Sequence, residues 1–122
     1  MSHIRPMDPA FPINRQIELE ASPVVLINLF TLDKADEARF LEVWQADAAF
    51  MKRQPGFIST QLHRAVGENP TYFNYAVWES NAHFRAAFIH PEFRAKSSAY
   101  PSSAIASPHL FQKVAVADIC VA

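Results

Sequence analysis

The stretch Tyr72-Phe73-Asn74-Tyr75-Ala76-Val77-Trp78 constrains the fold more than any other part of the chain. Aromatic and β-branched residues favour extended backbone, and a period of two puts Tyr72, Asn74, Ala76 and Trp78 on one face and Phe73, Tyr75 and Val77 on the other. Both faces are apolar enough to require cover, which describes a sandwiched central strand rather than one with a wet side. Val24-Val25-Leu26-Ile27-Asn28-Leu29-Phe30 has the same character and ends at Thr31-Leu32-Asp33. Helices can cover one face of such a sheet. The other face predicts a second copy of the chain, because 122 residues that are 50% hydrophobic carry more apolar surface than one small core hides.

The remaining elements follow from pattern and punctuation. Residues 1–22, interrupted by Pro6, Pro9 and Pro12, read as an extended N-terminal arm, either disordered or laid along a sheet edge or a partner; residues 23–122 form the single domain. With Asp33 as N-cap, a helix runs from Ala35 to about Arg53. Phe40, Leu41, Trp44, Ala48 and Met51 recur at helical spacing, and Asp36, Glu37, Glu42 and Asp47 fall on the remaining faces. Pro55-Gly56 stops it. Strands are expected over Phe57–Val66 and Thr71–Glu79 around a turn at Gly67-Glu68-Asn69-Pro70. Ser80 caps a second helix carrying Phe84, Ala87 and Phe88, with a break at Pro91 before Phe93. A loop over Ser97–Pro108 and a last strand over Leu110–Val116 complete the order β-α-β-β-α-β, the ferredoxin-like α+β unit.

Scarce residues exclude whole classes of chemistry. Two glycines, Gly56 and Gly67, cannot build a phosphate-cradling loop or a dinucleotide fingerprint. A single cysteine, Cys120, forms no internal disulfide or thiolate metal site and reads as a small apolar residue near the last strand. A net charge of -1 without a basic run predicts no nucleic-acid partner and no anionic membrane surface. No signal-like leader or long apolar span is present, so a cytoplasmic location is expected. No histidine and carboxylate set has metal-ligand spacing, and no metal is expected. His63, in the second strand, is a candidate cavity residue or simply an exposed one. His83 points away from the site, and His90 marks a bend before Pro91.

The segment Asn74-Tyr75-Ala76-Val77-Trp78-Glu79-Ser80, with Ala82-His83-Phe84, His90-Pro91-Glu92-Phe93-Arg94, Pro55-Gly56-Phe57 and the strand around Asn28, resembles the antibiotic biosynthesis monooxygenase family over about residues 23–118. The resemblance implies a dimeric α+β barrel in which two ferredoxin-like subunits pack sheet to sheet, with a cavity between each sheet and its own helices. It is greatest to the quinone-forming branch, whose working Asn and Trp correspond to Asn74 and Trp78. In that branch a tyrosine stands where this chain has Phe84, and a later arginine matches Arg94 across a short gap. The haem-degrading branch is disfavoured: Asn28 matches its first-strand asparagine, but Ala87 and Ser97 stand where it has a tryptophan and the histidine that would ligate iron.

What the resemblance implies is oxidation of a small phenolic or quinol-type aromatic by O2 without metal, flavin or haem. The substrate supplies the electrons, while the protein excludes water and stabilises developing charge with fixed donors. Asn74 and Trp78 are the catalytic candidates, and Asn28, Phe84, Arg94 and His63 the substrate-binding ones; no general base is assigned. Burial supports the amides independently, since Asn28 and Asn74 interrupt apolar strands and an amide is costly to bury without a partner. A non-oxygenase enzyme such as an isomerase, and a dimeric binding or stress protein, are the alternatives on the same fold.

Overall fold

The computed structural model describes residues 3–122. Among these, five strands and four helices follow in the order β1 (His3–Ile4), α1 (Ile13–Gln16), β2 (Val24–Thr31), α2 (Glu37–Lys52), β3 (Phe57–Arg64), β4 (Thr71–Trp78), α3 (Asn81–Phe88), α4 (Pro91–Ser97) and β5 (Ile105–Phe111). The sheet order is β1-β5-β2-β4-β3, antiparallel except for the short β1–β5 pair. The two segments apolar on both faces, β2 and β4, are neighbours at its centre. Their register pairs Leu26 with Ala76, Asn28 with Asn74 and Phe30 with Tyr72, so these residues share the helix-covered face. This is the α+β, ferredoxin-like arrangement.

α2 begins later than its sequence suggests. Asp33 holds the cap position of a 3-10 turn over Lys34–Asp36, but its side chain makes no capping bond. Ser103 ties this start down instead, accepting from the Asp33 amide at 3.1 Å and donating to Asp36 at 2.6 Å. The buried face of α2 is also rotated from the expected one: it carries Phe40, Val43, Asp47 and Phe50, while Leu41 is exposed. Ser80 does cap α3, accepting from the His83 amide. His90 caps α4 by accepting from the Glu92 amide, with Pro91 in the first turn where its missing N–H costs nothing.

The last strand corrects the reading of 97–108 as loop and 110–116 as strand. β5 starts at Ile105, and Val116 instead bridges Cys120 in an exposed terminal turn. Pro108 sits inside β5, opposite Asn28. The outward side of β5 is the one on which the Ala106 carbonyl accepts from Arg5 and the Leu110 amide donates to Gln16. By the period of two, Pro108 turns its nitrogen to that same side, so no bond to β2 is lost.

Residues 3–22 run along this edge. Ile13 and Ile17 enter the core with Val24, Leu26, Trp78 and Phe84, and two buried amides fasten the segment. Gln16 donates to the Phe11 carbonyl and accepts from the Leu110 amide, while Asn81 donates to the carbonyls of Gln16 and Leu19. A second cluster, built on Phe30, Leu32, Phe40, Tyr72 and Ala104, fills the other end. Along β2, Leu26 belongs to the first cluster and Phe30 to the second. Asn28 lies between them.

Candidate active site

A cavity of about 370 Å³ occupies the space between the sheet and the helices, a volume suited to a small planar molecule. Its floor is the central pair of strands, with Leu26, Asn28, Phe30, Asn74, Ala76 and Trp78. α2 contributes Trp44, Asp47, Ala48 and Met51, and the α3–α4 side contributes Phe84, Phe88, Phe93 and Arg94. The enclosure is mostly apolar, so each polar group in it acts with little competition from water.

Asn28 and Asn74 form the polar centre of the floor. They are direct partners across β2 and β4, so both amides leave the sheet on the same side at the same level. Thr60, on β3, donates its hydroxyl proton to Asn74 Oδ1 at 2.5 Å. That bond fixes the amide, and its NH₂ is left as the group available to a ligand. Asn28 Oδ1 is buried without a protein partner. A group left in that condition in a cavity wall is a place where a ligand supplies the missing bond.

Trp78 is 1% exposed and stands at the end of the floor. Phe57 and Phe84 meet it edge-on with ring centroids 5.5 and 5.8 Å away, and Phe84 continues through Phe88 to Phe93 at 5.3 and 5.8 Å. This chain of rings makes an apolar wall whose members hold one another in orientation. The Arg94 guanidinium lies 5.7 Å above the Phe88 ring, and the residue is exposed, which puts a cation at the rim.

Five of the six residues named from sequence thus line one cavity: Asn28, Asn74, Trp78, Phe84 and Arg94. His63 does not. It pairs with Phe73 on the opposite face of the sheet, where the two rings stack at 4.3 Å. His83 also lies outside, packed on Gly56 and bonded through Nδ1 to the Ser80 hydroxyl at 2.7 Å.

Sequence reasoning missed Asp47 and Tyr100. The sequence pattern groups Asp47 with the polar residues of the helix, yet it is 5% exposed and lines the cavity. Seven residues after Phe40, it falls within about 20° of Phe40 around the helix, a signal the spacing contained. Burial pushes its carboxyl up to about 7 despite a hydrogen bond from the Tyr100 hydroxyl. The same burial, with the carboxylate beside it, pushes the Tyr100 phenol well above its ordinary range. Tyr100 follows α4 in a stretch without an obvious pattern, and its ring packs on Phe30 and Phe40 at 5.9 and 5.5 Å.

Residues 23–97 match the family model described as "Antibiotic biosynthesis monooxygenase". A curated relative, deoxynogalonate monooxygenase of Streptomyces nogalater, is 33% identical over 93 residues, which cover 76% of this chain and 78% of that protein. The crystal structure of SnoaB from Streptomyces nogalater, described as a cofactor-independent oxygenase, superposes with a TM-score of 0.72 at 32% identity, covering 80% of this chain and 99% of that one. A structure from Shewanella loihica is similar with a TM-score of 0.67 at 31% identity, covering 78% and 97%.

Proposed function

The chain belongs to the antibiotic biosynthesis monooxygenase family, and from that premise we propose that it is a cofactor-independent monooxygenase acting on a small phenolic or quinol-type aromatic. The observation that carries this reading is the paired amides at the centre of an aromatic-walled cavity. A planar ring lies against the Trp78–Phe84–Phe88 wall, and its oxygen substituents reach Asn28 and Asn74. Deprotonated, the ring passes one electron to O2, and the resulting radical and superoxide combine at carbon. The peroxide takes up a proton and loses water, leaving a quinone; one O2 is consumed and one water released. The amide NH₂ groups stabilise the oxygen charge of the phenolate and the peroxide, a contribution that fixed donors make without reorganising. Arg94 at the rim favours entry of an anion.

The working unit in this reading is a homodimer. Leu29, Tyr75, Ile58 and Phe111 are exposed large apolar residues, and Ile27, Phe73 and Val77 lie among them on the sheet face away from the helices. A second copy packed sheet to sheet covers them.

Oxygen uptake by metal-free protein with a panel of dihydroxyaromatic compounds tests the proposal. Uptake is expected, with quinone formed in proportion to oxygen consumed. Asn74→Ala and Trp78→Phe should each lower kcat/KM about 100-fold or more, a typical loss for a preorganised donor. Tight binding of planar aromatics without any oxygen consumption would favour a binding protein instead.

A further inference from the structure

Three polar residues are buried among the described ones: Gln16, Asp47 and Asn81. Gln16 bridges the Phe11 carbonyl and the Leu110 amide, and Asn81 donates to the carbonyls of Gln16 and Leu19, so both fasten the first twenty residues to the rest of the fold although Asn81 Oδ1 has no partner. Asp47 faces the cavity. The Tyr100 hydroxyl lies beside its carboxyl, and Oδ1 is buried without a hydrogen-bond partner. No arginine or lysine pairs with it among the described ion pairs. A carboxyl that lines an apolar chamber, with no cation paired to it and one oxygen that no protein donor satisfies, is placed to exchange a proton with whatever occupies the chamber.

We infer that Asp47, beside Tyr100, is the general base of the site: its carboxylate takes the hydroxyl proton of the bound aromatic. This rests on the monooxygenase reading above and supplies its first step. The substrate O–H bond breaks and a new O–H bond forms at Asp47, so one negative charge moves from carboxylate to phenolate and the cavity's net charge is unchanged. After oxygen has added to the ring, the peroxide anion recovers that proton from Asp47. The carboxylate is restored, and the hydroperoxide loses water.

A base with a carboxyl raised to about 7 is matched to work near neutral pH. The charged and titratable groups facing it are few. From α4 and the turn after it come Lys96, which acts at longer range, Arg94 at the rim and Tyr100 itself. The strands present Asn28, Asn74 and Pro108 to the cavity, which do not titrate. Tyr72 is engaged elsewhere, its hydroxyl donating to Glu37 at 2.6 Å beside Arg64.

The test uses metal-free full-length protein and the best dihydroxyaromatic of the oxygen-uptake panel, over the pH range in which the protein stays folded by circular dichroism. Wild type should show kcat/KM falling on the acid side, with a midpoint near 7. Asp47→Asn should lose about 100-fold or more in kcat with KM changed little, and lose the acid limb. Asp47→Glu should recover part of the rate and keep the limb. Tyr100→Phe, which removes a bond favouring the carboxylate, should move the limb to higher pH. A substrate carrying electron-withdrawing groups, already ionised at assay pH, should restore Asp47→Asn toward the wild-type rate. Equal losses on neutral and pre-ionised substrates, or an acid limb unchanged in Asp47→Asn and Tyr100→Phe, would overturn the assignment of Asp47 alone. Absence of uptake by wild type with every phenol overturns the monooxygenase reading and this step with it.

Discussion

Gly56 is constrained twice. Its φ of +83° lies in the left-handed region, and a Cβ added there would stand 2.2 Å from His83 Cγ. Gly56→Ala should therefore cost about 2 kcal/mol or more, read as a lower urea midpoint, and pairing it with His83→Ala should recover only a fraction of it, because the Cβ at position 83 would itself lie 2.4 Å from the new methyl. Asn28 illustrates the opposite balance. Its carbonyl oxygen has no partner, so Asn28→Leu, similar in shape, should raise the stability of the empty protein by about 1 kcal/mol while abolishing oxygen uptake. Asp47 adds a pH dependence to stability. Its folded carboxyl sits near 7 against an ordinary 3.8, so the folded state holds the proton more tightly than the unfolded chain. The contribution to stability is complete below the unfolded value and is lost as pH rises toward 7. Asp47→Asn should thus stabilise the protein relative to wild type by on the order of 2 kcal/mol at about pH 8 and much less at about pH 4.5, in urea titrations.

Among the elements, α1 has four residues and yet closes the edge of β5 through the side chain of Gln16. Gln16→Ala leaves the Leu110 amide without its acceptor and should cost about 2 kcal/mol, with the Leu110 amide among those whose hydrogen exchange accelerates most. Nothing in the sequence marks this element. Four residues carry too little periodicity to register, and the Leu110 amide that Gln16 holds lies 94 positions away. β2 and β4 were legible because their alternation extends over whole strands and because Asn28 and Asn74 stand out against apolar neighbours. β5 was misplaced because Ser107 and Pro108 resemble loop, and only the local hydrogen-bond direction reveals that proline is tolerated there. Asp47 was hidden by chemistry rather than by pattern. A carboxylate on a helix is ordinarily a solvated one, and the spacing that placed it beside Phe40 carried less weight than its charge.

At the scale of the molecule, the helices enclose one face of the sheet and the opposite face is open. Leu29, Tyr75 and Phe111 expose between 37% and 44% of their surface there, an arrangement that a dimer removes. Light scattering should give twice the mass of the 13.7 kDa chain, and Tyr75→Glu should shift it toward the single-chain value. Because Asn74 and Tyr75 are adjacent on opposite faces of β4, loss of the dimer should also weaken turnover by loosening the strand that carries the amide. The cavity has one more property. The chain has two tryptophans, and both Trp44 and Trp78 line the cavity. All indole emission therefore arises at the walls of a single chamber, so a coloured quinone forming inside should quench the protein's intrinsic light, making occupancy readable turnover by turnover without any attached dye.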